Sequence, residues 1–267
     1  MQNICNPERD YMIKNCLLPM MECVYGEKGK HIPEINYMVS LFPYSNEKIL
    51  CVKDGVDNID EIKSNFNRPL ISRKNSKIYT IEPRNDVEQF SNKKQLVVGA
   101  VIHDTNKILF LEAFNQKTIY REHNYTMVLG HVNVDIINPV YTPHDIFRIN
   151  LAKELIEELS HKYLSSDELY KYILTNENVA YIGTFTSNEI PVSNKHILIA
   201  YDILVDDVND FMSNEPHKHA VHTININELH TIYERLDSFF LKSLSHIPMI
   251  KDCYYIALKD LHVDNLT

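Results

Sequence analysis

The stretch KELIEEL, at residues 153–159, has an amphipathic helical pattern in which three carboxylates share one face. Glu154, Glu157 and Glu158 stand at i, i+3 and i+4, and side chains with these spacings project side by side from a helix. Carboxylate oxygens in such a row suit Mg²⁺ or Mn²⁺. A solvated helix face has the same pattern, so the heptapeptide alone leaves both interpretations open. The opposite face is apolar and is expected to pack on a core through Ala152, Leu155, Ile156, Leu159 and Tyr163.

The sequence also predicts where this helix starts. Thr142 can cap it, Pro143 suits its first turn, and Asp145 completes a capping-box-like pattern. We expect the helix to run to about Tyr163. Other patterns predict a helix over 8–23, strand pairs at 37–42 with 48–52 and at 96–102 with 107–111, a helix over 166–174, strands over 180–185 and 196–205, and an amphipathic tail helix over 226–244.

A glycine-containing segment precedes the acidic helix. Residues 129–133 read LGHVN, and a loop leads from there to the helix. This order resembles the Nudix box, in which a glycine is followed by a loop and by a helix bearing Arg-Glu-x-x-Glu-Glu. Residues 153–158 are similar to that helix, with Lys153 in place of the arginine.

The chain departs from the usual box in three respects. Lys153 lies 23 positions after Gly130, so the loop carries an insertion, expected within residues 134–141. Ile136 stands where the family has a loop glutamate. Ser160 and His161 stand where the family has a glycine.

Flanking segments extend the resemblance to about residues 84–245. They are similar, in order, to the branch of Nudix-like proteins described as predicted phosphoesterases, whose boxes read Gly-His-Ile-Asn and tolerate a long loop. The segments are RNDVE at 84–88, KQLVV at 94–98, KILFL at 107–111 and IPVSNKHI at 190–197.

Together, the pattern and the resemblance imply an α/β fold, a Nudix-like α/β/α sandwich with a mixed sheet. Residues 1–86 are expected to form a smaller N-terminal accessory segment, in which no catalytic constellation is visible. Residues 87–267 are expected to form the Nudix-like domain.

The resemblance also implies roles for individual residues. Glu154, Glu157 and Glu158 would bind Mg²⁺ or Mn²⁺. Catalysis would fall to Glu154, Glu157 and Lys153, which replaces an arginine that orients the acidic cluster. One of the three glutamates would also accept a proton from the attacking water.

Two substrate-binding residues are expected at the glycine-containing segment. Gly130 would let the backbone turn close to the metal site, although a simple turn glycine is an equal alternative. His131 would contact phosphate or, alternatively, make a structural hydrogen bond to the insertion.

Two functions therefore remain open. The first is a metal-dependent hydrolase that cleaves a phosphoanhydride bond in a nucleoside diphosphate or triphosphate derivative. The second is a non-catalytic Nudix-like nucleotide-binding or regulatory domain. The three glutamates favour the first, whereas Lys153, the lost loop glutamate and the insertion favour the second.

Weaker candidates have ordinary structural alternatives. His196 is expected in the core or a groove rather than as a base, and Glu189 in an exposed loop rather than as an additional metal ligand. The remaining candidates are His217, His219 and His222 as metal ligands or surface residues, and Tyr120, Tyr125 and Tyr181 as base-stacking or core residues.

Composition is typical of a cytoplasmic globular protein with a sizeable core, with 44% hydrophobic residues. A net charge of −9 argues against an extended nucleic-acid surface but allows a small phosphorylated nucleotide-like substrate, because a bound metal supplies local positive charge. No apolar run reaches the length of a membrane span, and five cysteines without zinc-site spacing indicate reduced thiols. A homodimer is among the assemblies that we expect.

Overall fold

A computed structural model describes residues 47–53, 56, 58–70, 72–84, 86–87, 93–114, 125–134, 141–186 and 195–251 of the 267-residue chain. The α-helices bounded on both sides within these ranges are α1 (Ile59–Lys63), α2 (Asn75–Ile78), α3 (Pro143–Glu158), α4 (Ser166–Thr175) and α5 (Ser238–Leu244).

A nine-stranded sheet forms the middle layer. Its strands are β1 (Lys48–Val52), β2 (Tyr79–Pro83), β3 (Lys94–His103), β4 (Lys107–Ala113), β5 (Tyr125–Thr126), β6 (Val128–His131), β8 (Val179–Thr186), β9 (His196–Leu204) and β11 (His219–Asn225). The sheet is mixed because β3 runs parallel to β9, whereas the other paired strands are antiparallel. The short strands β7 (Leu159–His161) and β10 (Phe211–Ser213) pair separately.

Side chains of the central strand β3 alternate between two hydrophobic cores. Val98 packs in the core shared with α1, α3 and α4, while Val97 packs in the core shared with α5. This alternation is the two-residue period of a strand buried on both faces. Because helices cover both faces, the predicted α/β/α sandwich with a mixed sheet is confirmed.

Several predicted elements are confirmed, and two need correction. The β3–β4 pair, α4, β8 and β9 lie where the sequence predicted them. Helix α3, however, ends at Glu158 rather than near Tyr163, because Leu159 enters β7 and pairs with Ser213 of β10. Tyr163 is therefore 68% exposed and does not belong to an apolar helix face.

The predicted tail helix over 226–244 is wrong as a single helix. The chain forms 3₁₀ turns at Ile226–Thr231 and Tyr233–Arg235 before α5. Asp237 starts α5 by accepting hydrogen bonds from the backbone N–H groups of Phe239 and Phe240, which fixes the break. The predicted helix at 8–23, the strand at 37–42, and Glu189, Tyr120 and Ile136 lie outside the described residues.

Part of the proposed accessory segment belongs to the same sheet. β1 pairs with both β2 and β3, and Leu50 and Val52 are buried in the core that contacts α3. The division at residue 86 stays a prediction. Within the described ranges, no helix has the length and apolarity needed to cross a bilayer.

Candidate functional site

Helix α3 is fixed at its start and along its apolar face. Thr142 accepts a hydrogen bond from the Asp145 N–H, and the Asp145 carboxylate accepts one from the Thr142 N–H, so the predicted capping box is present. Ala152 and Leu155 are fully buried against the sheet. Glu154 and Glu158 lie beside this apolar face and meet β6 at Gly130 and Leu129.

Gly130 lies in β6, rather than in a turn, and closely approaches Glu154. A Cβ atom at Gly130 would lie 1.9 Å from Cδ of Glu154 and 2.1 Å from its Oε2. The glycine is therefore required by the position of the carboxylate, since only a residue without a side chain leaves room for it.

Burial and mutual repulsion disfavour the ionised forms of all three glutamates. Burial raises the pKa of Glu154 to about 7, with Lys153 opposing and Glu157 adding to the shift. Partial burial also raises the pKa of Glu157, again against the effect of Lys153. Burial, followed by the charges of Glu154, Glu215 and Glu157, raises the pKa of Glu158 well above its usual value.

The Glu158 carboxyl makes only part of the hydrogen bonds that its two oxygens could accept from the described residues. It accepts a hydrogen bond from the backbone N–H of Leu129, but its Oε2 is buried with no hydrogen-bond partner among the described residues. Unpaired buried oxygens of this kind are costly.

Lys153 is the cation within this cluster. Its Nζ lies 3.6 Å from Oε1 of Glu157, and its side chain is only 13% exposed, whereas that of Glu157 is 48% exposed. Burial opposes the charge of Lys153, but Glu157, Glu154 and Glu47 together raise its pKa. Lys153 therefore lies among the acidic residues as a fixed positive charge.

Two residues that the sequence interpretation did not assign to the site reach it from β1 and β2. The charge of Glu47 raises the pKa values of Glu154 and Lys153, and the charge of Arg84 lowers the pKa of Glu154. Nη1 of Arg84 lies 2.9 Å from Oε2 of Glu47, and the Asn133 amide donates to Oε1 of Glu47 at 3.2 Å. Arg84 had appeared only as the start of a weak flanking segment, and no local pattern marked Glu47.

The turn between β10 and β11 contacts the carboxyl end of α3. The Asn214 side chain donates to the carbonyls of Ile156 and Leu159 at 2.8 and 2.9 Å, and its backbone N–H donates to that of Glu158. The charge of the next residue, Glu215, raises the pKa values of Glu157 and Glu158. Residues 47, 84 and 215 are separated from the box in sequence, so no spacing could have revealed them.

The predicted histidine candidates do not gather into one group. His219 is buried and approaches the Glu158 carbonyl at 3.3 Å, while His222 lies 2.9 Å from Glu112 on β4. His217 is exposed. Tyr125 lies under the guanidinium of Arg235, and Tyr181 packs edge-on against Phe66 and Tyr201, so both tyrosines are engaged within the fold.

His131 lies on the opposite face of β6 from the side of Gly130 that meets Glu154, because successive residues of a strand alternate. Its Nε2 is 3.3 Å from Nε2 of His196 on β9. Burial, followed by Arg84 and His196, holds the pKa of His131 well below its usual value. The structure thus brings His131 and His196 together, separately from the three glutamates.

The carboxylates of Glu154, Glu157 and Glu158 are the kind of ligand that a hard cation prefers, but their oxygens do not surround a common point. Within the described ranges, no group of three or more His, Cys, Asp or Glu side chains has the arrangement of a metal site. The buried, unpartnered Oε2 of Glu158 and the three raised carboxyl pKa values nevertheless fit a group that supplies positive charge at this place.

Comparison with known proteins gives structural matches only. A scan of protein-family models and a search of curated proteins found no match. Among solved structures, Tm1382, a candidate Nudix hydrolase, matches 73% of this chain and 94% of its own, at 18% identity and a TM-score of 0.49. A Nudix-family hydrolase from Clostridium perfringens matches 61% of this chain and 97% of its own, at 14% identity and a TM-score of 0.34.

A third match is a bifunctional NMN adenylyltransferase/ADP ribose pyrophosphatase from Francisella tularensis, complexed with AMP and a Mn ion. It covers 67% of this chain and 44% of its own, at 12% identity and a TM-score of 0.37. At these identities and TM-scores, the function has to be inferred from the residues of the site.

Proposed function

We propose that this protein is a metal-dependent hydrolase of a phosphoanhydride bond in a nucleoside diphosphate or triphosphate derivative. The observation that carries the proposal is the crowding of Glu154, Glu157 and Glu158 on one end of α3. All three carboxyl pKa values are raised there, and a buried oxygen of Glu158 has no hydrogen-bond partner in the part of the chain that the structure describes. Carboxylates held in this way are stabilised by a divalent cation.

Glu154, Glu157 and Glu158 would hold Mg²⁺ or Mn²⁺. Such an ion, when bound, neutralises phosphate charge and lowers the pKa of coordinated water. A bound substrate would also supply oxygens to the ion, since Mg²⁺ is usually held by one or two carboxylates together with phosphates.

The residues of the cluster would accept the proton of the attacking water and hold the carboxylates in position. One of the three glutamates would accept a proton from the attacking water, since a carboxylate beside the ion can serve as a general base. Lys153 fixes the position of Glu157 through their 3.6 Å contact. Gly130 keeps the space in which the Glu154 carboxylate lies.

The choice of a nucleotide derivative comes from the sequence resemblance to the Nudix box, and the assignment to the Gly-His-Ile-Asn branch stays a prediction. A cytoplasmic location and a homodimer also stay predictions. In these folds, specificity is determined mainly by variable loops outside the box.

One observation favours the non-catalytic alternative. Lys153 already pairs with Glu157, and the carboxylates are not closed around a common point among the described residues. A domain of this kind would bind a nucleotide without cleaving it.

The test is turnover of nucleotide sugars, dinucleotides and nucleoside triphosphates with Mg²⁺ or Mn²⁺, measured as phosphate or nucleotide release. We expect Glu157→Gln and Glu158→Gln to abolish turnover while the protein stays folded, because the carboxylate charge is lost while size is kept. The exposed Glu61→Gln on α1 is the matched control. Unchanged turnover in the two site variants would reject the assignment.

A second variant addresses Lys153. Lys153→Arg should retain or increase turnover if the residue orients Glu157, since a planar guanidinium holds a carboxylate with two hydrogen bonds. Nucleotide binding by the parent without turnover across the whole panel would instead support the non-catalytic domain.

A further inference from the structure

Two histidines meet above β3, on the face of the sheet away from α3. His131 of β6 pairs with Val97 of β3, and His196 of β9 pairs with Gln95 of β3 from the other side. The two imidazoles therefore extend over β3 from its two neighbouring strands, and their Nε2 atoms lie 3.3 Å apart. Both histidines are half-buried, so their rings are neither sealed in the core nor fully solvated.

This histidine pair, His131 with His196, lies at the same end of the sheet as the acidic cluster. β3 and β9 begin at this end, and β6 ends at it. Gly130 and His131 are neighbours, so one residue meets Glu154 on one face and the next meets His196 on the other.

The charge of Arg84 acts on both groups. It lowers the pKa of Glu154 and that of His131, and Glu47 holds its guanidinium at 2.9 Å. A cation therefore acts at this end of the sheet on both the carboxylates and the imidazoles.

We propose that His131, His196 and Arg84 form an anion-binding subsite that holds a second phosphoryl group of the substrate, separate from the group bound at the glutamates. This inference rests on the proposed function. Within that substrate class, it requires a phosphoryl group that reaches the face of the sheet away from α3.

The chemistry of the three side chains fits such a group. A neutral imidazole carries one N–H, and in the histidine pair one ring donates to the other through Nε2. When each ring carries its proton on Nε2, both become donors toward one phosphoryl oxygen, without net proton uptake. Arg84 supplies the positive charge that an oxyanion requires, and hydrogen bonds to charged groups are the stronger kind.

The experiment uses inorganic pyrophosphate as the probe, with the full chain and an excess of chelator, so that the glutamates cannot contribute through a metal. Isothermal titration calorimetry should detect binding to the parent, and His131→Ala and His196→Ala should each weaken it about three- to tenfold. His222→Ala, which removes a half-exposed histidine paired with Glu112 elsewhere, should leave the affinity unchanged.

A second measurement does not depend on the folding of the variants. In the parent, the imidazole ¹⁵N resonances of His131 and His196 should shift on addition of pyrophosphate, whereas those of His222 should not. Unshifted resonances, equal affinities in the parent and both histidine variants, or no metal-free binding at all would overturn the proposal.

The outcomes separate this subsite from the proposed hydrolysis. Histidine-dependent pyrophosphate binding in a protein that cleaves no nucleotide would leave the subsite standing and remove the hydrolase. Turnover that is abolished in Glu157→Gln but unchanged in both histidine variants would leave the hydrolase standing and remove the subsite.

Discussion

At the scale of single residues, the carboxyl of Glu154 links the candidate site to the stability of the fold. Its pKa of about 7 exceeds the ordinary value of 4.5, so between these pH values the folded state holds a proton that the unfolded state releases. Folding stability should therefore fall as pH rises through this window, by up to about 3 kcal/mol for this group. Glu157 and Glu158 act in the same direction.

We expect chelator-treated protein to be more stable to urea near about pH 5 than near about pH 8, and Glu154→Gln to have a flatter profile because glutamine does not titrate. Adding Mn²⁺ should recover stability at the higher pH if the ion binds the folded site. Parallel profiles for the parent and Glu154→Gln would contradict the raised pKa.

Gly130 gives a second residue-scale prediction. Gly130→Ala directs a methyl group at Glu154, whose flexible end can move away, so the cost in folding stability should be modest, about 1 kcal/mol. Mn²⁺ affinity should fall by about tenfold, because the carboxylate is displaced. Urea unfolding and Mn²⁺ titration measure the two effects.

The double variant Gly130→Ala/Glu154→Ala is the control for the Gly130 prediction. It should be about as stable as Glu154→Ala alone, because the side chain that clashes with the added methyl group is gone in both. A loss of stability that persists in the double variant would mean that Gly130 matters to the strand and not to Glu154.

The sequence predicted the site residues that are close together in the chain and missed those that come from distant positions. Glu154, Glu157 and Glu158 were predictable because helical spacing places them side by side. Glu47, Arg84 and Glu215 were not, because strand pairing and the β10–β11 turn bring them in from distant positions. The opposite orientations of Gly130 and His131 became visible only once β6 was known to be a strand.

At the scale of elements, Asn214 holds the carboxyl end of α3. Its amide donates to the carbonyls of Ile156 and Leu159. Ile156 lies in the last turn of α3, where carbonyls lack intrahelical partners, and Leu159 is the residue that follows the helix. Asn214→Ala should lower the free energy of unfolding by about 1–2 kcal/mol. Chemical denaturation followed by circular dichroism measures the change.

Asn225→Ala is the matched control for Asn214, because the Asn225 amide bonds only locally to Glu228 among the contacts described. It should change stability by less than about 0.5 kcal/mol. Asn214→Asp keeps the size but loses the donor and adds negative charge at the helix C-terminus, so it should be at least as destabilising as alanine. Equal effects at positions 214 and 225 would argue against a specific role for Asn214.

The start of α3 was predictable, but its end was not. Thr142, Pro143 and Asp145 form a local signal that needs no tertiary contact. Leu159 continues the helical apolar pattern, yet the chain leaves the helix there because pairing with β10 competes successfully. The tail was overpredicted for a related reason, since the Asp237 cap starts a new helix inside an apolar periodic stretch.

At the scale of the whole molecule, the interleaved order of strands and helices, together with the resemblance, predicted the sandwich. β3 and β9 are buried on both faces, and only helices on both sides can cover such strands. Strand order was beyond reach, because β9 joins β3 in parallel, although about a hundred residues separate them in sequence. β1 likewise pairs with β3 across an intervening stretch of chain, Cys51 with Gln95, so the contribution of β1 and β2 to the central sheet was not foreseen.

The last prediction concerns that contribution. A chain beginning at residue 85 lacks β1 and β2, and with them Leu50 and Val52, which are at most 1% exposed in the main core. Fully burying such side chains is worth about 1.5–3 kcal/mol each, and loss of β1 also uncovers one edge of β3 at Gln95. Because domain stability is only about 5–15 kcal/mol, the shortened chain should not fold cooperatively.

A chain beginning at residue 47 is the control, because it retains both strands together with Glu47 and Arg84. Size-exclusion chromatography and thermal unfolding of the two truncated proteins isolate the effect of residues 47–84. An aggregated or non-cooperative product from residue 85, beside a folded one from residue 47, would assign these strands to the core of the domain. Cooperative unfolding of the chain from residue 85 would instead make residues 1–86 an accessory segment, and full turnover by that chain would also exclude Glu47 and Arg84 from the site.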